Sequence, residues 1–187
     1  MTSIKSSRIL IIATNGFEQA ELEVPRDQLR ANGAKVDVAT PDGKEIKGWD
    51  RTDWGRPAKA DLKIADAKMD EYQALVIPGG VINPDKLRID ADAMKLVRSF
   101  LAAGKVVAAV CHGPWLLVQA DALKGRQATS WPSLRKDMEN AGAKWLDERV
   151  VVDNGIITSR KPEDLDAFVA KIVEEVEEGR HYRRQAA

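Results

Sequence analysis

The stretch VVAAVCHGP at residues 106–114 decides the fold of this chain. Its first five residues are apolar and either small or β-branched. They show no polar alternation, which is typical of a strand buried on both faces of a parallel sheet. Gly113 ends the strand, and Pro114 suits the first turn of the helix that follows, because that position needs no N–H. The sequence therefore predicts a sharp strand-to-helix turn with Cys111 at its apex.

Small residues flank this turn on both sides. Ala109 and Gly113 lie two positions before and after the cysteine, so the strand and the helix can approach closely and hold Cys111 on a strained turn, as in a nucleophile elbow. Backbone N–H groups and a helix N-terminus then face the sulfur. Both favour the thiolate, and we expect a lowered pKa for Cys111.

The alternative is that Cys111, the only cysteine, is a small core residue on an apolar strand. Its position at the carboxyl end of the strand favours a site, because open α/β sheets place their ligands at that edge. His112 follows it directly, whereas the other histidine, His181, lies in a charged tail. Adjacent side chains normally point apart, so a pairing of Cys111 with His112 requires the geometry of the turn.

Length and charge limit the class of protein. The 187 residues are expected to form one domain, residues 1–187, with a loose tail at 179–187. There are 29 basic and 29 acidic residues, and no basic stripe, so no constitutive nucleic-acid partner is expected.

One cysteine excludes an intrachain disulfide framework. The N-terminal segment lacks the apolar core of a signal peptide, which predicts a cytoplasmic protein. No apolar run approaches the roughly 20 residues of a membrane helix, so no membrane partner is expected.

Strands and helices alternate along the chain with short links, which predicts a doubly wound α/β sandwich. Strands are expected at residues 9–13, 34–40, 74–77, 106–110 and 127–130, with a hairpin over 150–158. Helices are expected from about 22 to 31 and at 90–103, 133–141 and 162–178.

Two features of this pattern stay open at the level of the sequence. Pro25 either starts the first helix late or kinks it. The polar segment 41–60 is expected to form a small hairpin or excursion. Its Trp49 and Trp54 either cover an edge of the sheet or form an interface.

The loops after the first strand, after residue 77 and after residue 110 share one edge of such a sheet. Glu18, Gly79-Gly80 and Cys111 are therefore expected to be neighbours. The two glycines either form a tight turn or, with the N–H of His112, an oxyanion hole. Glu18 either donates a hydrogen bond to the sulfur from a protonated carboxyl or is a surface charge near a helix start.

The sequence contains no Cys/His cluster for zinc, no Gly-x-Gly-x-x-Gly after the first strand and no phosphate loop. No metal and no organic cofactor is therefore expected.

Several motifs together resemble the PfpI family of intracellular cysteine hydrolases, from Arg8 to about Val173. The motifs, which match in order and spacing, are Phe17-Glu18, Pro78-Gly79-Gly80, Cys111-His112-Gly113-Pro114, Ser130-Trp131-Pro132 and Asn140-Ala141-Gly142-Ala143-Lys144-Trp145. The family is related to class I glutamine amidotransferases. It includes proteins described as proteases, general stress proteins, cofactor-independent glyoxalases and deglycases. The resemblance implies a flavodoxin-like sandwich.

The resemblance also implies roles for individual residues. Cys111 matches the nucleophile, His112 its imidazole partner and Glu18 the carboxyl at the sulfur, while the N–H groups of Gly80 and His112 match the oxyanion hole. Asp85 matches an acid supplied to the histidine of a neighbouring subunit, which implies a homo-oligomer. On the residues alone, Asp85 is equally a helix N-cap after a proline.

Three functions follow as hypotheses. The first is a cysteine-dependent hydrolase that acts on peptide bonds or on small carbonyl compounds and glycation adducts, as protease, glyoxalase or deglycase. The second is a stress or redox protein without turnover, in which Cys111 is oxidised. The third is a binding module that retains the elbow.

Overall fold

The structure, a computed structural model, describes residues 3–179. Its centre is a seven-stranded sheet in the order β11-β12-β8-β7-β1-β3-β6. Every neighbouring pair is parallel except β11 with β12. The strands of this sheet are β1 (Arg8–Ile12), β3 (Lys35–Thr40), β6 (Leu62–Lys63), β7 (Ala74–Ile77), β8 (Val106–Val110), β11 (Val150–Asp153) and β12 (Ile156–Ser159).

The helices lie on both faces of the sheet, so the predicted flavodoxin-like, doubly wound α/β sandwich is confirmed. They are α1 (Gln19–Ala31), α2 (Ile82–Leu87), α3 (Ala91–Ala102), α4 (Trp115–Gln119), α5 (Arg135–Asn140) and α6 (Leu165–Glu178). Short strands β9 (Gln127–Ala128) and β10 (Lys144–Trp145) pair separately.

The core has two halves because successive strand residues point to opposite faces. In β1, Ile9 and Ile11 pack with the apolar sides of α1 and α6, whereas Leu10 and Ile12 pack with those of α3 and α4. All four are fully buried. Burial on both faces explains why the sequence shows apolar runs and no alternation.

The structure excludes one alternative each for Pro25 and Asp85. Helix α1 begins at Gln19, and Pro25 lies in its interior, so Pro25 does not start the helix late. Its missing N–H removes only the hydrogen bond to the carbonyl of Glu21, one turn earlier. The sequence pattern does not predict helix α2, because the two glycines before it and the Asn-Pro pair inside it indicate a loop. Asp85 lies inside α2 and is not an N-cap.

The expected hairpin in segment 41–60 is present. Strands β4 (Ile46–Asp50) and β5 (Asp53–Ala58) are antiparallel and join β2 (Phe17–Glu18) in a three-stranded sheet. The rings of Trp49 and Trp54 meet edge to face at 5.5 Å across the hairpin, and Trp54 stays 45% exposed. An interface at Trp54 stays a prediction.

Within residues 3–179, none of the helices combines the length and the apolar composition needed to cross a bilayer. The tail predicted at 179–187 lies outside the described residues from position 180 onward.

Candidate functional site

The expected elbow is present at the end of β8. Cys111 has a φ of 61°, a left-handed conformation that is uncommon for a residue with a side chain. Its N–H donates to the carbonyl of Ser159, which fixes the strand end. A Cβ at Gly113 would lie 2.6 Å from the carbonyl oxygen of Ile77, so glycine permits the close approach of helix and strand. The turn directs the Cys111 side chain to the carboxyl edge of the sheet, where it is 7% exposed.

His112 lies against the sulfur. Its Nδ1 is 3.2 Å from Sγ of Cys111, so the turn brings together two adjacent side chains that would point apart in a strand. The imidazole ring is 5.2 Å from the ring of Trp115 and 6.2 Å from that of Trp131, centre to centre. Burial lowers the pKa of His112 to about 4, so the ring is neutral at neutral pH and can accept a proton.

The carboxyl at the sulfur is Glu21, and the assignment to Glu18 is wrong by one helical turn. Glu21 is fully buried, and its Oε2 accepts a hydrogen bond of 2.8 Å from the N–H of Gly79. A Cβ at Gly79 would lie 2.5 Å from this oxygen and 2.6 Å from Cβ of Cys111. Gly79 therefore leaves just enough space for the glutamate and the cysteine to meet. Burial raises the pKa of Glu21 to about 8, and within residues 3–179 its Oε1 is buried without a hydrogen-bond partner.

Glu18 instead precedes α1 and is partly exposed. Burial raises its pKa, and the nearby backbone of Arg51 opposes the rise. The sequence does contain a signal for Glu21. The buried residues 22, 25 and 29 are spaced three and four apart, and Glu21 lies four residues before Pro25, which places this glutamate on the buried face of α1.

The backbone N–H groups of Gly80 and His112 lie near the sulfur, where they lower the pKa of Cys111 against the effect of burial. Gly80 has a φ of 74°. A Cβ at this position would overlap the carbonyl oxygen of Gly16 and lie 2.7 Å from the nitrogen of Glu18. The N–H of Gly79 donates to Glu21, and an oxyanion hole formed by the N–H groups of Gly80 and His112 stays a prediction.

The expected lowering of the thiol pKa is wrong for the resting protein. Burial is the largest effect and raises the pKa of Cys111. A negative charge on Glu21 raises it further, and the N–H groups of Gly80 and His112 oppose the rise. The thiol and Glu21 are both protonated at neutral pH, and the neutral ring of His112 is in contact with the thiol.

Asn83 was missed by the sequence reasoning, although it fixes the loop that supplies these donors. Its amide is fully buried at the start of α2. Oδ1 accepts from the N–H of Thr14 at 2.7 Å, and Nδ2 donates to the carbonyls of Pro78 at 2.9 Å and Gly79 at 3.2 Å. One side chain thus joins the loops that follow β1 and β7.

The structure does not bring Asp85 to His112 within one chain. Asp85 is exposed on α2, and the described chain shows no hydrogen bond or ion pair of its carboxylate. Its expected role across a subunit interface stays a prediction.

Comparison with known proteins agrees with this geometry. Residues 7–175 match the DJ-1/PfpI family. The chain therefore belongs to the DJ-1/PfpI family, and the resemblance carried by the motifs is confirmed.

Similar sequences include enzymes by name. The chain is 39% identical to a protein named deglycase PfpI from Pyrococcus furiosus, over 89% of this chain and 97% of that one. It is 44% identical to an uncharacterized protein from Archaeoglobus fulgidus, over 89% and 96%. Deglycase-named relatives at this similarity support enzymatic activity within the family.

Solved structures share the fold. DJ-1beta from Drosophila melanogaster superposes with a TM-score of 0.83 at 29% identity, over 95% of each chain. A two-domain protein with DJ-1/ThiJ/PfpI-like and ferritin-like domains from Anabaena variabilis gives a TM-score of 0.86 at 36% identity. That match covers 97% of this chain and 52% of that one.

Proposed function

We propose that this protein is a cysteine-dependent enzyme that converts small reactive carbonyl compounds, free or as early glycation adducts. The observation that carries the proposal is the contact of Cys111 Sγ with His112 Nδ1 at 3.2 Å, next to the buried carboxyl of Glu21. A nucleophile, a neutral base and a protonated carboxyl at one point suit addition to a carbonyl group. The deglycase-named relatives support the same substrate class.

Burial of the sulfur favours a small substrate over a polypeptide. Cys111 is 7% exposed, and Trp115 and Trp131 pack around His112 beside it. A polypeptide backbone would have to displace the residues that bury the sulfur to place its carbonyl carbon on it. An aldehyde at the end of a small molecule or a side-chain adduct reaches it without such insertion.

With methylglyoxal, the first step forms a bond between Sγ and the aldehyde carbon. The thiol proton passes to Nδ1 of His112, and the electron pair of the C=O bond moves to oxygen. The N–H groups of Gly80 and His112 lie beside the sulfur and stabilise that oxygen. Return of the proton to oxygen gives a hemithioacetal.

The second step is an isomerisation. The hydrogen on the former aldehyde carbon leaves as a proton and is transferred to the neighbouring ketone carbon, with His112 as the base. The hemithioacetal carbon becomes a thioester, and the ketone becomes a secondary alcohol. Water then hydrolyses the thioester, which releases lactate and regenerates the thiol, so no external oxidant or reductant is consumed.

The test is lactate formation from methylglyoxal, with cleavage of an unfolded peptide measured in parallel. Wild type should form lactate, and Cys111→Ala should lose the activity by at least about 100-fold, because the covalent step is absent. The substitution Lys95→Ala, at an exposed position of α3, serves as a control for general effects of substitution. Equal lactate formation by wild type and Cys111→Ala, or peptide cleavage without lactate, would reject the proposal.

A second function, redox sensing, is favoured by the same carboxyl. Glu21 stays protonated up to about pH 8 beside the sulfur, so it can donate a hydrogen bond to a sulfinate formed there by peroxide. Intact mass after mild peroxide treatment tests this. Two oxygens on Cys111 in wild type, and fewer in Glu21→Ala, are expected, whereas no oxygen on Cys111 would exclude it.

A further inference from the structure

Arg88 lies at the C-terminal end of α2 with its guanidinium over an aromatic ring. Its Cζ is 5.3 Å from the centre of the Trp115 ring. Among residues 3–179, no carboxylate lies within the 4.0 Å that defines an ion pair with this guanidinium. Arg135 also lies over a tryptophan, but it is paired with Glu139 at 2.8 Å. Arg88 therefore keeps a positive charge that no carboxylate neutralises within the described chain.

A series of side-chain contacts connects Arg88 to Cys111. The ring of Trp115 contacts the ring of His112 at 5.2 Å, and Nδ1 of His112 is 3.2 Å from Sγ of Cys111. The indole is held in place, since its N–H donates to Oδ2 of Asp137 at 3.0 Å. The guanidinium thus rests on a fixed platform at the rim of the site.

The groups at the sulfur leave this charge unopposed near neutral pH. His112 is neutral, and Glu21 is protonated, because burial shifts the pKa of each. The carboxylates on the neighbouring elements are Asp137, whose Oδ2 accepts from the indole, Asp90, whose Oδ1 accepts from the N–H of Ala93 at the start of α3, and the exposed Asp85 and Asp92. An exposed charge is screened by salt within about 8 to 10 Å.

We infer that Arg88, seated on Trp115, is an anion-binding residue of the Cys111 site and selects carbonyl compounds that carry a carboxylate. A guanidinium stacked by its face on an aromatic ring keeps the N–H groups of its edge free, and these match a carboxylate in bidentate geometry. The inference deepens the proposed function, on which its substrate class rests.

Alkylation of Cys111 tests the inference without any turnover. Iodoacetate and iodoacetamide both form an Sγ–CH2 bond and release iodide, and they are nearly equal in size. Only iodoacetate carries a carboxylate. The ratio of the two rate constants therefore reports the attraction of an anion to the sulfur, and it is measured on wild type, Arg88→Met, Arg88→Lys and Lys86→Met.

The ratio should fall about three- to tenfold in Arg88→Met at low salt, because one positive charge near the site is lost. Arg88→Lys should retain part of the ratio. Lys86→Met removes an exposed charge from the same helix and should leave the ratio unchanged. An unchanged ratio in Arg88→Met, or an equal fall in Lys86→Met, would overturn the inference.

Inhibition adds a second readout. Glyoxylate, an aldehyde with a carboxylate, should inhibit lactate formation from methylglyoxal, with an inhibition constant raised in Arg88→Met while the KM for neutral methylglyoxal is nearly unchanged. If wild type forms no lactate but the alkylation ratio depends on Arg88, the proposed reaction fails and the anion site stands. If lactate forms and the ratio of the iodoacetate and iodoacetamide rate constants is the same in wild type and Arg88→Met, the anion site is rejected and the proposed reaction is supported.

Discussion

At the scale of single residues, the chemistry of this site depends on which groups hold protons. Cys111, His112 and Glu21 meet in a buried space, and burial favours the uncharged form of all three. In the proposed reaction the thiol is activated by transfer of its proton to His112 during attack, and a standing thiolate is not required. Glu21 supplies a hydrogen-bond donor as long as it stays protonated.

Substitution of Glu21 should change how alkylation of Cys111 depends on pH. Wild-type Glu21 ionises near pH 8, and the charge then opposes formation of a thiolate beside it. Glu21→Gln has no such charge, so its rate with iodoacetamide should exceed that of wild type by about five- to tenfold above pH 8. Below pH 7 the two rates should agree within about threefold. Glu18→Gln is the matched control and should follow wild type, and superimposable curves for Glu21→Gln and wild type would contradict the assignment.

Substitution by alanine at two glycines with the same backbone conformation distinguishes the effect of backbone strain from that of steric overlap. Gly80 and Gly125 both have a φ of 74°. An added Cβ meets backbone atoms of Gly16 and Glu18 at position 80, and nothing within 4 Å at position 125.

Each alanine variant should therefore lose about 1 to 2 kcal/mol of unfolding free energy from the left-handed conformation. Only Gly80→Ala should lose more unfolding free energy than this. Its rate of lactate formation should also fall, by at least about 100-fold. Urea unfolding and the lactate assay check this, and an active Gly80→Ala enzyme would show that the site tolerates a moved Gly80 N–H.

At the scale of elements, the sequence predicts the elbow because its signals are local. An apolar run, a cysteine, a glycine and a proline within nine residues specify strand, turn and helix start. Helix α2 is not predictable in this way. It is six residues long and begins after two glycines, and its position depends on the buried amide of Asn83, which bonds residues far apart in sequence.

The choice between Glu18 and Glu21 fails at the sequence level for a related reason. Helix α1 starts three residues earlier than the apolar pattern from Leu22 indicates, and this earlier start carries Glu21 to the sulfur. Helix starts are the least certain boundaries when no capping side chain marks them, and Glu18 makes no capping hydrogen bond. Once the first residue of α1 is known, the helical period alone places Glu21 on the buried face of this helix.

Removal of the Asn83 amide should weaken both stability and activity. Asn83→Ala removes the partner of the Thr14 N–H and of the Pro78 carbonyl, while the Gly79 carbonyl keeps the N–H of Glu18, and this should cost about 2 to 4 kcal/mol of unfolding free energy. Lactate formation should fall at least tenfold, because the Gly79-Gly80 donors lose their support. Asn32→Ala removes an exposed amide that bonds one carbonyl, and it should cost under about 1 kcal/mol. Equal effects of the two substitutions would contradict the role given to Asn83.

At the scale of the whole molecule, the buried glutamate should make stability depend on pH. Glu21 has a pKa of about 8 in the folded protein, against 4.5 as its ordinary value. Between these values the unfolded chain releases a proton that the folded chain retains. The contribution of Glu21 to stability is therefore complete below pH 4.5 and is lost as the pH rises to about 8.

The unfolding free energy of Glu21→Gln minus that of wild type should accordingly be flat below pH 4.5. It should then rise by at most about 1.4 kcal/mol per pH unit up to pH 8. His112 has the opposite effect, because its lowered pKa makes both proteins more stable as the pH rises from 4 to 6.5. This effect cancels when the unfolding free energy of wild type is subtracted from that of Glu21→Gln. Denaturant unfolding across this range checks it, and a difference independent of pH would contradict the burial of Glu21 as a neutral acid.

Assembly is the other property of the whole molecule. We propose that the chain forms a homo-oligomer in which Asp85 of one subunit orients His112 of another. Light scattering should give more than one subunit, and Cys111→Ala and Asp85→Asn should each be much less active than wild type. A mixture of the two variants, dissociated and reassembled, should recover part of the activity, since some sites then combine an intact cysteine with an intact aspartate. A monomer, or a mixture no more active than its parts, would reject the shared site.

The most direct measurement is the intact mass of the enzyme quenched during turnover of methylglyoxal, followed by mapping of the modified residue. Wild type should carry one substrate-derived group on Cys111, which disappears as the substrate is consumed and lactate accumulates. Cys111→Ala should carry none at that position and form no lactate. Lactate formed while Cys111 remains unmodified, or formed equally by Cys111→Ala, would contradict covalent catalysis by this cysteine.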